Sequence, residues 1–125
     1  MDADALMDRL LELEHDLGKY LLLPLSMLEP EADQAALREA LSQALLCTRK
    51  SGSHAVPARQ LWRDFEAEMA ASDTTAARAR ELRPAVERAL GWEAALGDQR
   101  ALCREDIEAD LGAVRAAIRS WLKEL

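Results

Sequence analysis

The stretch DQRALCREDIEADLGAVRAAIRSWLKEL, residues 98–125, decides the fold. Cys103, Ile107, Leu111, Val114, Ile118, Trp121 or Leu122, and Leu125 recur at steps of three and four, which lines them along one stripe of an α-helix. Gly97 and Asp98 read as the stop of one helix and the N-cap of the next. The apolar half of the chain is mostly Ala and Leu, with few β-branched residues and only five Gly, so side-chain entropy favours helix over strand throughout. No sheet is expected.

Upstream of that stripe the same period repeats. A first helix starts at Asp2 or Asp4, with Leu6, Leu10, Leu13, Leu17 and Tyr20 inward, and Pro24 kinks or ends it. Pro30 suits the first turn of a second helix, whose inner face is Leu37, Leu41, Ala44 or Leu45, and Thr48; Ser51-Gly52-Ser53 stops it. Pro57 opens a third, with Ala58, Leu61, Trp62, Phe65 and Met69 as its core face, and Ser72-Asp73-Thr74-Thr75 holds the next stop and cap. A fourth segment carries Ala79, Leu82, Val86, Leu90 and Leu96, and Pro84 is expected to break it. Short loops favour antiparallel neighbours, so the predicted fold is an all-α, four- to five-helix up-and-down antiparallel bundle, one domain over residues 1–125.

At 125 residues the chain can bury roughly two thirds of its unfolded surface, enough for one core. A net charge of −7 repels phosphate backbones and anionic lipid, so neither nucleic acid nor membrane is expected as the main partner, and a basic protein surface is. The apolar run Leu21–Leu28 falls short of a bilayer span and holds Pro24, and the acidic start (Asp2, Asp4, Asp8) lacks the basic segment of a secretion signal. Cys47 and Cys103, with no metal-type spacing between them, are expected as buried reduced thiols. Arg outnumbers Lys 13 to 3 and Asn is absent, a bias of GC-rich codons. A bacterial, cytoplasmic protein is the expectation.

One segment departs from helical filler: Glu14-His15-Asp16-Leu17-Gly18-Lys19-Tyr20, running into Leu21-Leu22-Leu23-Pro24-Leu25-Ser26-Met27-Leu28. His15-Asp16-Leu17 resembles the H box of sensor histidine kinases, in which a phosphoaccepting His is followed by an acidic and an aliphatic residue. Gly18 stands where that family has a basic residue, Lys19 falls one place late, and Tyr20 replaces a common proline. No ATP-binding glycine boxes follow, which leaves a histidine phosphotransfer domain as the form the resemblance implies. There an exposed His15 would attack a phosphoaspartate, with Lys19 neutralising the phosphoryl group and Gly18 admitting the partner. The plain alternative makes His15 a helix residue in local ion pairs with Glu12, Glu14, Asp16 and Lys19, and Gly18 the site of a close helix crossing.

Other patterns carry less. Glu12 and His15 form one E-x-x-H pair, the spacing used by ferritin-like di-iron bundles, but the only other histidine, His54, has no matching glutamate, so no metal or cofactor is expected. Arg78, Arg80, Arg83 and Arg88, with Arg59 and Arg63, read as solvated faces and intramolecular pairs. Lys50 to His54 reads as a helix–helix turn. Trp62 and Trp121 fall on core stripes, whereas Trp92 lies at the core rim or on a contact surface. No catalytic triad, carboxylate pair or nucleotide loop can be assembled. The function expected is therefore a non-enzymatic protein–protein interaction module, a small regulatory or signalling adaptor. Its docking face comprises His15, Gly18, Lys19, Tyr20, Leu22, Leu25 and Trp92, for a protein partner such as a receiver domain or regulatory GTPase. Phosphotransfer at His15 and self-association as a homodimer through Leu21–Leu28 are the alternatives.

Overall fold

Asp2 starts the first helix by accepting a hydrogen bond from the Ala5 N–H at 2.7 Å, a cap worth about 1 kcal/mol. The computed structural model describes residues 1–50 and 54–125. From that cap, α1 (Ala3–Leu13), a π-helical turn (Glu14–Lys19) and α2 (Tyr20–Ser26) form one continuous rod. Helices α3 (Gln34–Leu46), α4 (Ala58–Met69), α5 (Asp73–Leu90) and α6 (Arg104–Lys123) follow, with a 3₁₀ helix at Gly91–Gly97. The rod, α4, α5 and α6 form the antiparallel bundle, and α3 folds back along α2 toward the 3₁₀ helix.

Antiparallel order is written in the cross-helix pairs. Arg104 of α6 donates to the carbonyls of Leu25, Leu28 and Glu29 at the rod's C-terminal end, while Arg115 reaches Glu14 nearer its middle at 2.7 Å. Arg83 and Arg59 tie α5 and the 3₁₀ helix to α4 through Glu66 and Glu93. Arg78 pairs with Glu81 and with Glu124 beyond α6. Of the central arginines, Arg59, Arg78 and Arg83 thus pair within the chain, while Arg63, Arg80 and Arg88 are exposed.

The core is one cluster that draws on every helix. Phe65 is fully buried, its ring 5.7 Å from Trp62 and 5.9 Å from Trp121, so both core tryptophans meet at α4. In α6 the buried residues are Ile107, Leu111, Val114, Ile118 and Trp121, a regular stripe. In the rod the buried apolar side chains are Leu10, Leu13, Leu17, Leu21 and Leu25. Three consecutive steps of four would drift about 120° around an ideal α-helix. The π turn absorbs that drift: the Tyr20 N–H donates to His15, five residues back. Leu21 consequently takes the inward place that strict α periodicity gives to Tyr20, which is half-buried.

Several expected boundaries move. Pro24 does not end the rod, because the acceptor it orphans, on Tyr20, lies beside the π turn where the α ladder is already out of register. Pro30 belongs to a turn; Asp33 caps α3 instead, accepting from Ala36 at 2.9 Å. Pro84 lies on the solvent side of a single α5, where water can satisfy the carbonyl it frees. Asp98 does not cap α6. Arg38 donates to the carbonyls of Ala95, Leu96 and Arg100, and Gln34 bonds both backbone groups of Leu102, so α3 holds this stretch out of helical form until Cys103.

A two-residue antiparallel ladder, Arg49–Lys50 with His54–Ala55, closes the link from α3 to α4, against the expectation of no sheet. The expected Ser51-Gly52-Ser53 stop lies outside the described residues, and α3 already ends at Leu46. Both cysteines are free, but both are exposed rather than buried: Cys47 follows the last turn of α3 and Cys103 precedes α6, each off its helix's inner stripe. Among the described residues, no helix is long and apolar enough to cross a membrane.

Candidate functional site

The π turn falls on the same residues that stand out in the sequence. Widening the helix at Glu14–Lys19 turns Asp16 inward, its side chain 3% exposed, and leaves the adjacent His15 side chain 46% exposed. Their contact is His15 Nδ1 to Asp16 Oδ1 at 3.2 Å. In the neutral tautomer that donates from Nδ1 to Asp16, the Nε2 lone pair is free, the orientation in which an imidazole acts as a nucleophile or base. Tyr20 packs edge-on against the ring at 4.6 Å, and Lys19 Nζ lies 5.9 Å from the centroid of the Tyr20 ring. His15, Asp16, Lys19 and Tyr20 therefore form one group.

Glu14 does not join it. Arg115 and Arg119 of α6 draw its carboxylate away at 2.7 and 3.3 Å, and Glu12 lies 3.9 Å from Arg9, so the expected ion-pair ring around His15 reduces to Asp16. Gly18 is the seat of a close crossing: a Cβ there would stand 3.0 Å from Arg115 Cγ. It faces α6 and not a partner, which corrects its place in the docking face. Leu25 is corrected likewise, being 1% exposed inside the core. Trp92 is tied to α6, where its Nε1 donates to Asp110 at 2.8 Å and its ring is half-buried at the core rim.

What remains outside is a row at steps of four, Met7, Leu11, His15, Lys19 and Met27, with Leu23 half-buried between the last two. The π turn that keeps the leucine row inside also keeps this row outside. Leu11 is 51% and Met27 75% exposed. Two concavities flank the row. One, about 540 Å³, is lined by Tyr20, Leu23, Pro24, Gln43, Cys47 and Thr48. On the other flank Leu22 and Arg115 are shared by two adjoining hollows between the rod and α6, about 450 and 440 Å³.

Sequence reasoning missed that second flank. Its signal is present as Arg115, Arg119 and Lys123, cations at four-residue steps on α6, but attention to basic residues falls on the denser run at Arg78–Arg88. Among the described residues, no group of three or more His, Cys, Asp or Glu side chains could hold a metal ion. At the start of α6 the Asp106 backbone N–H favours the Cys103 thiolate. The hydrogen bond to Glu105 at 3.4 Å, the loss of solvation, and the side-chain hydrogen bond and charge of Asp106 together outweigh it, and the thiol pKa is held above its ordinary value. Comparison with protein families, with curated proteins and with solved structures gave no match.

Proposed function

We propose that the chain is a non-enzymatic protein–protein interaction module, a small bacterial cytoplasmic adaptor that docks a protein partner through the outer face of its first helix. The observation that carries this reading is the Met7–Met27 row, where Leu11 and Met27 stay exposed although the core is complete without them. Leu11 and Met27 offer apolar anchors, and Tyr20 between them adds an aromatic one beside the polar His15 and Lys19. Receiver domains and regulatory GTPases are the partner classes favoured by the size of the bundle and the H-box likeness.

The test is capture from a soluble bacterial lysate, followed by rebinding of the purified partner to wild type, Leu11→Asp and Met27→Asp, each checked for helical content. Leu25→Asp is unsuitable because it charges the core. Rebinding lost at least tenfold, about 1.4 kcal/mol, in both variants supports the reading. Equal rebinding by all three overturns it. Monomer-to-dimer conversion abolished by the same changes would favour self-association instead.

A second reading, phosphotransfer at His15, is supported by the buried Asp16 beside Nδ1. In it the phosphoaspartate P–O bond breaks, an N–P bond forms at Nε2, and the aspartate leaves as carboxylate. A phosphorylated receiver would transfer label to wild type and not to His15→Gln; failure to label wild type excludes it.

A further inference from the structure

The two hollows between the rod and α6 form one cleft whose charge is opposite to that of the whole chain. Lys19 and Arg104 border its first part, Arg119 and Lys123 its second, and Arg115 lies at the junction. Against these five cations the cleft has Glu108 in its lining and Glu14 behind Arg115, so it is net positive in a chain of net charge −7. Lys19 and Lys123 have no ion pair among the described residues. Between the cations the floor is Leu22, Ala116 and Gly112, where an added Cβ would meet nothing within 4 Å, with Ser120 beside them.

We propose that this cleft binds an acidic amphipathic helix of a partner protein. The inference rests on the docking reading and specifies the partner's chemistry. From Arg104 to Lys123 the cleft follows α6 for about 30 Å, the length of a helix of about twenty residues. A helix laid between two helices seats an apolar row on the floor, and its Glu or Asp flanks meet the rim cations. Nucleic acid is disfavoured because the cleft offers no aromatic platform for bases. The net charge alone suggests a basic partner; the local field selects an acidic one.

The probe is a fluorescein-labelled helical peptide of about 18 residues, about 27 Å long, with Leu at helical spacing and Glu on both flanks. A Lys-flanked copy and phosphatidylserine vesicles are the comparators. The Glu peptide should bind full-length protein by anisotropy, and weaken at least tenfold in a Lys19→Glu/Lys123→Glu double variant and at 0.5 M salt. Gly112→Leu fills the floor without removing a charge and should block binding while leaving the fold intact. Equal binding of the Lys peptide, or binding unchanged by the charge reversal and by Gly112→Leu, overturns the proposal. So does vesicle binding that survives Gly112→Leu while no peptide binds. If no peptide binds but a purified partner is lost with Met27→Asp, docking stands and the acidic-helix assignment falls.

Discussion

The rod of residues 3–26 and helix α6 lie antiparallel against each other, and they solve the same burial problem differently. In α6 the buried residues step 4, 3, 4, 3 from Ile107 to Trp121, close to the 3.6-residue turn, and the helix is regular from end to end. In the rod, Leu13, Leu17, Leu21 and Leu25 step by four each time, and the helix must widen at Glu14–Lys19 to keep them inside. The difference is informative because a π turn amounts to one extra residue in a helix, with poorer hydrogen bonding than the α form. The rod's irregularity is therefore encoded in its leucine spacing, and its product is the inward Asp16 beside an outward His15.

Deleting Lys19 sharpens this comparison most. The buried row then steps 4, 3, 4 after Leu13, as in α6, so the chain should fold with unchanged helical content and no π turn. An Ala inserted between Val114 and Arg115 does the reverse, rotating Ile118 and Trp121 about 100° out of the core. That should cost roughly 5 kcal/mol or more, since each lost core side chain is worth about 2–5 kcal/mol. Urea unfolding followed by circular dichroism measures both. A Lys19 deletion as damaging as the α6 insertion would refute the register account.

The glycines give a second contrast. Gly18 in the rod is pressed by Arg115, so Gly18→Leu should destabilise by about 1–3 kcal/mol through overpacking. Gly112 in α6 faces open space, so Gly112→Ala should stabilise by up to about 1 kcal/mol through helix propensity. Thermal melts of the pair should move in opposite directions; movement in the same direction would mean that the close crossing at Gly18 is not sustained in solution.

Smaller effects separate the helix starts. Asp2→Ala removes the cap on Ala5 and should cost about 1 kcal/mol. Cys103, which occupies the N-cap of α6, makes no capping hydrogen bond, so Cys103→Ser should raise the melting temperature by supplying one. No change in either variant would show that the first turns of both helices fray.

What was legible in the sequence follows the same division. Helix α6 and the aromatic face of α4 could be read directly because their stripes obey the α period: Trp62, Phe65, Ile107, Leu111, Val114, Ile118 and Trp121 are buried, and only Cys103 and Leu125, at the two ends of the α6 stripe, are exposed. The rod's leucines were legible as a stripe, but the π turn was not, since a single four-step run is also compatible with a stripe that drifts. Pro84 misled because a proline on a solvent face breaks nothing that water cannot repair. Asp98 misled because Arg38 and Gln34, some sixty residues away, claim its neighbours' backbone. Of the docking residues, His15, Lys19 and Tyr20 come together as a group. Gly18 and Leu25 turn inward, because a run with apolar residues on every side contains no sign of which side its neighbours will cover.

The finest contrast lies in the Cys103 thiol at the head of α6. A helix start ordinarily lowers a thiol's pKa, and the Asp106 backbone N–H does act in that direction. Glu105 and Asp106, acidic residues suited to the first turn, reverse it. Alkylation proceeds through the thiolate, whose fraction below the pKa grows as the pKa falls. Glu105→Gln removes one of the carboxylates that favour the protonated form, so the pKa drops and iodoacetamide labelling of Cys103 at pH 7.5 should quicken severalfold. Mass spectrometry of the Cys103 peptide reads this independently of Cys47. The acceleration should shrink as pH rises through the Cys103 pKa, where wild type and variant are both thiolate. An acceleration that persists at high pH would instead mean that Glu105 shields Cys103 from the reagent by bulk, with no part in its protonation.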